Sequence, residues 1–274
     1  MISFVDALLE LLFPPAALCG LCGRPLAGKR LSVAGVGRNW LIDRSIMWEA
    51  RGTICSTCLR RIPFVVAPFC IKCGKPLRAA ARDNESTCLD CRSWGRFFRK
   101  ARAVGVYDGI LREHIHALKY QGQRRVAGAL GFLMAGVASR EQGMDSVDLI
   151  VPVPLHSRRY VERGFNQAEL IAGSVGRYLG VPVAGHVLFR LRQTRSQSRL
   201  SRGDRRDNLR GAFQVANPGD VAGRSVLVVD DVLTTGATAD ECSRVLLRAG
   251  AREVYVLTAA AGAMEREWRT DSKG

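Results

Sequence analysis

Eight of the nine cysteines fall into four CxxC pairs: Cys19/Cys22, Cys55/Cys58, Cys70/Cys73 and Cys88/Cys91. A CxxC turn aims two sulfurs at one point, and two such turns complete a tetrahedral four-sulfur zinc site. The 14 residues between Cys73 and Cys88 match the usual ribbon spacing. The 32 residues between Cys22 and Cys55 are long for a ribbon, so an insertion or a hairpin is expected there. Gly23-Arg24-Pro25-Leu26 and Gly74-Lys75-Pro76-Leu77 follow the first and third pairs. This CxxCG[RK]PL repeat predicts two tandem ribbons and favours sequential over interleaved pairing, which the sequence alone leaves open. With sulfur at all four positions of each site, no position stays open for catalysis, and both zincs are expected to be structural. Disulfides would need an oxidising compartment, and a redox CxxC usually stands alone before a helix. Cys242 stands apart, at helical spacing with Val245, Leu246 and Ala249, and reads as a core cysteine.

At 274 residues and 47% apolar composition the chain is large enough for a substantial core. Its most apolar N-terminal stretch, Met1 to Phe13, contains Asp6 and Glu10 and is shorter than a membrane span. It has no basic leader or small-residue cleavage site. Leu8, Leu9, Leu11, Leu12 and Phe13 are expected to form a short packed helix stopped by Pro14-Pro15. A cytoplasmic location follows from these expectations.

After Trp94 the pattern changes. Ala103 to Tyr107, Asp148 to Pro154, Ser225 to Asp230 and Glu253 to Thr258 read as apolar strands. Between them lie helical spacings at Leu111/Ile115/Leu118, at Val126/Leu130/Leu133/Met134/Val137, and at Ala168/Ile171/Val175/Tyr178. Alternating strands and helices with continuous apolar strands predict an open, mainly parallel sheet with helices on both faces. The expected organisation is a short helix and double zinc ribbon over residues 1–95, then an α/β domain over residues 96–274. The boundary is expected near residues 92–102.

The strongest chemical signal is Val226 to Thr238, VLVVDDVLTTGAT. An apolar strand leads into two carboxylates, Asp230 and Asp231, and then into a turn of small and hydroxylated residues that opens a helix. In open parallel sheets ligands bind beyond the carboxyl ends of the strands. Thr234, Thr235, Gly236, Ala237 and Thr238 can surround a phosphate with N–H groups and hydroxyls, aided by the helix dipole. Asp230 and Asp231 are then placed to accept hydrogen bonds from vicinal ribose hydroxyls. No P-loop lysine follows the glycine, so a 5-phosphorylated ribose fits better than a nucleoside triphosphate.

This segment resembles the phosphoribosyl-pyrophosphate (PRPP) signature of type I phosphoribosyltransferases. The whole chain is similar to the competence protein F family: in the LLFPP stop, the CxxC pairs and Leu118-Lys119-Tyr120-Gln121-Gly122, and in VPVPLH at Val151 to His156. The likeness continues through RGFNQA at Arg163 to Ala168 and the stretch Arg192 to Phe213. The resemblance implies a type I phosphoribosyltransferase fold behind a small zinc-ribbon domain, binding of PRPP with Mg²⁺, and a part in DNA uptake during transformation. It implies cytoplasmic partners as well: single-stranded DNA, a competence helicase and recombination proteins. An acidic residue precedes the TG pair in purine-salvage relatives, where it acts as base. Leu233-Thr234-Thr235-Gly236 supplies none here, and with residues 1–95 given to ribbons no glutaminase domain is expected.

The formal charge is +16, from 41 Lys+Arg against 25 Asp+Glu. Residues 1–100 carry +9, residues 101–155 carry +1, residues 156–210 carry +8 and residues 211–274 carry −2. Eight thiolates around two zinc ions would lower the total to about +12, all of it from the ribbon half. The +8 stretch is untouched by this correction. Within it Arg158, Arg159 and Arg163 follow the VPVPLH strand, where type I relatives bind pyrophosphate, and arginine suits that task. Arg192, Arg195, Arg199, Arg202, Arg205, Arg206 and Arg210 lie in a segment resembling the mobile loop that closes over PRPP. Asn166, Gln167 and His156 are read as anchors of the adjoining loop and helix starts. The expected function is a PRPP-binding, phosphoribosyltransferase-like protein of DNA uptake. The alternative is a metabolic phosphoribosyltransferase acting on a small nitrogen nucleophile.

Overall fold

The computed structural model describes residues 18–26, 53–77, 87–192 and 208–262. The expected N-terminal helix, and the arginines at 195, 199, 202, 205 and 206, lie outside these residues.

The apolar runs become four parallel strands: β1 (Lys100–Val106), β2 (Leu149–Pro152), β5 (Ser225–Leu233) and β6 (Glu253–Ala261), in the order β1-β6-β5-β2. Their near-continuous apolar character reflects burial on both faces. Two shorter strands, β3 (Leu188–Arg190) and β4 (Phe213–Val215), form a separate antiparallel pair. Strand alternation divides the interior into two cores. Leu227, Val229, Tyr255 and Leu257 face one core, which they share with α3 (Gly109–Tyr120), α4 (Arg125–Ala138) and α6 (Gln167–Leu179). Val226, Val228, Val254 and Val256 face the other, with α7 (Ala237–Arg248) and the β3–β4 pair. The sequence expectation of a parallel sheet with helices on both faces therefore holds.

The two ribbon halves lie on opposite faces of this sheet. Cys19, Leu21, Ile54, Cys58 and Leu59 belong to the first core. The last two, Cys58 and Leu59, come from the short helix α1 (Ser56–Arg61). Cys70, Cys73, Cys88 and Cys91 belong to the second core, together with the fully buried Phe98. The connecting chain crosses between the faces along the β1 edge. Val65 N–H donates to Val104 O (3.1 Å) and Val106 N–H donates to Pro63 O (2.7 Å). This short antiparallel contact covers an edge that would otherwise present unpaired backbone groups. On the far edge, Ile150 N–H donates to Pro182 O and Ala184 N–H donates to Ile150 O, both at 2.9 Å.

Strand boundaries shift from the sequence expectation: β1 starts at Lys100 rather than Ala103, β2 is trimmed to Leu149–Pro152, β6 runs to Ala261 rather than Thr258, and the shift at β5 bears on the site. The strand expected to stop at Asp230 runs on to Leu233, because β6 continues beside it: Asp230 pairs with Thr258, Val232 with Ala260 and Leu233 with Ala261. The two carboxylates therefore sit inside the strand rather than after it.

Phe98 joins the second ribbon half to the sheet, and its loss leaves a void that the stiff parallel strands cannot close. Phe98→Ala is expected to destabilise the protein by about 3–5 kcal/mol, read as a lower urea midpoint with an unchanged slope.

Candidate functional site

The cysteines assemble as the repeat predicts. Cys19, Cys22, Cys55 and Cys58 form one group and Cys70, Cys73, Cys88 and Cys91 the other, with all sulfurs of a group within 4.8 Å of one another. Cys22 Sγ and Cys55 Sγ are 3.7 Å apart, and Cys73 Sγ and Cys88 Sγ 3.6 Å. A tetrahedron of zinc–sulfur bonds has edges of about 3.8 Å, so both groups fit the ion. Backbone N–H groups also point at the sulfurs, as thiolates require: Cys55 N–H to Cys19 Sγ (3.2 Å) and Cys88 N–H to Cys70 Sγ (3.3 Å). Burial opposes ionisation of Cys19, but the N–H groups of Cys55, Cys22 and Leu21 outweigh it and bring its pKa down to about 7. Four sulfurs per site leave no open position, so zinc here would act as a staple. Cys242 is buried in the second core, on α7.

The turn after β5 provides the second site. Thr234, Thr235 and Gly236 leave the carboxyl end of the strand and lead directly into α7. Gly236 is the N-cap residue, with φ +81, a conformation that side chains resist. Gly236 offers no side-chain cap of its own, and the Thr235 hydroxyl accepts from Ala237 N–H (3.4 Å) at this helix end of positive polarity. A small cleft here is lined by Asp230, Thr234, Gly236, Ala237 and Thr238, with Thr258 from β6.

Alternation along β5 separates the two carboxylates. Asp230 reaches this cleft. Asp231 is buried and turns to the opposite face, toward Lys119 at the end of α3. Lys119 Nζ lies 2.8 Å from both Asp231 oxygens; it donates a hydrogen bond to Oδ1 and holds Oδ2 by charge alone. Burial works against the Lys119 charge, but Asp231 and Asp230 outweigh it and raise its pKa. Asp230 keeps some surface at the cleft mouth, yet its carboxylate is packed round by protein. Desolvation, then the neighbouring Asp231 charge, pushes its pKa up to about 7, against the pull of Lys119 and Arg190.

Arg158, Arg159 and Arg163 lie on α5 (Ser157–Arg163), just past the carboxyl end of β2 and beside β5. His156 caps this helix, accepting from Arg158 N–H at 3.3 Å. Arg158 pairs with Glu162 (3.0 Å), while Arg163 donates to Gln167 and sits over the Tyr120 ring. Asn166 caps α6 and donates to Val153 O (3.0 Å), which ties that helix to the β2 end. Arg192 donates to Arg210 O (2.7 Å), joining the two ends of the segment between them.

Sequence reasoning missed two site residues. Lys119 stands in the family-like stretch Leu118-Lys119-Tyr120-Gln121-Gly122, but no site role was read from it there. Arg190, on β3, stacks over Phe213 (5.4 Å). Burial, then the like charge of Arg159, lowers its pKa, opposed by Cys242 and Asp230. No local motif marks it. A larger cleft on the outer side of α7 is lined by Phe97, Arg210, Arg244 and Arg248, with Asp240 and Glu241. Both acids are engaged: Asp240 accepts from Phe97 N–H (2.7 Å), and Glu241 accepts from Gly211 N–H and from Arg244.

Because the folded pKa of Asp230 lies above the unfolded value of about 3.9, the native state binds more protons between the two values and loses stability as pH rises through them. Asp230→Asn should therefore raise the melting temperature of the ligand-free protein at pH 8. The gain should fade as pH falls through about 7 and vanish below about 4, where the carboxyl is protonated in both the folded and the unfolded state.

Comparison with known proteins places these features in a family. The sequence matches the double zinc ribbon domain over residues 45–92 and the phosphoribosyl transferase domain over residues 166–272. It is 33% identical to competence protein F of Haemophilus influenzae over 211 residues, 76% of this chain and 90% of that protein. It is 34% identical to DNA utilization protein YhgH of Salmonella typhimurium over 223 residues, covering 80% and 95% of the two chains. Competence protein ComFC of Bacillus subtilis is 28% identical over 203 residues, 72% of this chain and 79% of that one. With two sulfur sites, a phosphoribosyltransferase sheet and relatives that match over most of their length, the chain belongs to the competence protein F family.

Proposed function

We propose that this protein binds PRPP with Mg²⁺ at the carboxyl end of β5 and serves DNA uptake in the cytoplasm. The observation that carries the reading is that Asp230 and the glycine-led start of α7 line one cleft. The N–H groups and hydroxyls of Thr234 to Thr238 would hold the 5-phosphate, and Asp230 would accept from the ribose hydroxyls. Asp231 acts from behind: through Lys119 it holds the strand end and sets the field around Asp230. Arg158, Arg159 and Arg163 on α5, with Arg190 on β3, suit the pyrophosphate.

Transfer of phosphoribose would break the bond from carbon 1 to pyrophosphate and develop positive charge on the ribose ring. These arginines would stabilise the departing oxygens. Asp230 is a hard oxygen donor at the cleft mouth and fits Mg²⁺, which when bound with PRPP would offset the leaving charge. The turn itself offers no general base.

The names of the relatives, and the basic cleft beside α7, support the DNA part of the reading. A half-exposed Phe97 ring beside Arg210 and Arg248, both exposed, is the combination that holds single strands by stacking and charge.

Calorimetry with PRPP and Mg²⁺ tests the small-molecule half. Asp230→Ala should weaken binding about tenfold or more, and equal affinity would overturn the site. A fluorescence assay with labelled single-stranded oligonucleotides tests the other half. Binding should weaken steeply between about 50 and 200 mM salt, and Arg210→Ala/Arg248→Ala should flatten that slope. No binding at the low-salt end, together with pyrophosphate release in the presence of a small amine, would favour a metabolic transferase instead.

A further inference from the structure

Arg96 sits between two sites that the sequence separates by more than 100 residues. It follows α2 (Leu89–Trp94), the helix that carries Cys91 and begins next to Cys88. Gly95 ends that helix at φ 62, ψ −178, a conformation essentially restricted to glycine, and so turns the chain toward α7. Arg96 Nη2 then donates to the carbonyl oxygen of Thr235, at 2.8 Å, inside the phosphate turn. The guanidinium lies beside Gly236 as well, 3.4 Å from where a Cβ would stand. The next residue reaches the same helix: Phe97 N–H donates to Asp240 Oδ1 (2.7 Å), in the first turn of α7. On its other side Arg96 faces the second sulfur group. Burial disfavours its charge, but the Cys91 sulfur, with Asp240 and Cys73, outweighs this and raises its pKa. Phe98, fully buried below, carries Arg96 on one side and Lys72 on the other, each 5.9 Å from its ring centre. Lys72 belongs to the Cys70–Cys73 knuckle, whose backbone accepts from Ala101 N–H (2.8 Å) at the start of β1.

We propose that Arg96 is a positioning residue that uses the second four-cysteine site as an anchor for the phosphate turn. A carbonyl that accepts from Arg96 fixes the peptide plane of Thr235, and with it the direction of the N–H groups that follow. The anchor is rigid because the four sulfurs, Phe98 and α7 share one core. The first four-cysteine site, on the opposite face, has no such contact among the described residues. The two ribbons of one sequence design therefore divide their tasks: the first braces the helical face, and the second sets the ligand turn. This rests on the reading that the turn holds the 5-phosphate of PRPP.

The test compares zinc-loaded wild type with Arg96→Ala and Arg96→Lys. Zinc content should stay at two per chain in both variants. Amide hydrogen exchange, read without ligand, should speed up about tenfold over residues 235–240 in Arg96→Ala, the worth of one charge-assisted hydrogen bond. Amides at the start of α6 should not change. PRPP affinity should fall by a similar factor, and Arg96→Lys should recover part of both effects. Unchanged exchange at 235–240, or equal acceleration at α6, overturns the proposal. Should Arg96→Ala fail to fold, Arg96→Lys against wild type carries the same two outcomes. If wild type itself does not bind PRPP while exchange at 235–240 still responds selectively, the functional reading falls and the anchoring role stands.

Discussion

Backbone pairing between β5 and β6, out to Leu233 and Ala261, sets the rest of the site. Because the ladder continues past Asp230, the two acidic residues obey strand alternation and point to opposite faces. One carboxylate opens on the ligand cleft and the other is spent on Lys119. The same ladder places the glycine turn three residues beyond the carboxylates, at the end of a strand buried on both sides. A shorter strand would have left both acids in a loop, where neither would be so strongly desolvated. The raised pKa of Asp230 and the buried ion pair of Asp231 are two results of one register.

The sulfur sites are joined to the sheet rather than set apart from it. Each group of cysteines contributes buried surface to one of the two cores, and the segment between them pairs with β1 as it crosses from face to face. Small metal-held ribbons have little apolar interior of their own, and here they borrow that of the sheet. In return they cover a strand edge and the outer side of the helix layers. Phe98 and Arg96 show how close this joining is at the second group: one fills the core beneath the cysteines, and the other reaches the ligand turn above it.

Much of the architecture is legible from local pattern. Four CxxC pairs with a repeated flanking tetrapeptide favour the sequential grouping of sulfurs that the structure shows, although spacing alone leaves an interleaved grouping open. Apolar runs of strand length, alternating with helical spacing, specify a parallel sheet. The turn after β5 is legible because a glycine among hydroxylated residues at a strand end marks a sharp entry into the next helix, and the structure gives that glycine a positive φ. Roles that depend on distant parts of the chain were not legible. Arg190 carries no motif, and the motif around Lys119 says nothing of its partner; the Lys119 role comes from where the end of α3 is laid against β5.

By itself, the sequence determined the grouping of eight cysteines into four CxxC pairs, the α/β class, the place of the glycine turn after β5 and the family to which the chain belongs. Each of these rests on spacing within a short window, or on residue types with few conformational alternatives. Only the tertiary structure decided which carboxylate lines the cleft, that the ribbons take opposite faces, and that Arg96 ties the second ribbon to the turn. Those outcomes depend on strand register and on contacts between residues far apart in the chain. No local preference encodes such contacts: they are set only when burial of two separate cores selects one packing from many.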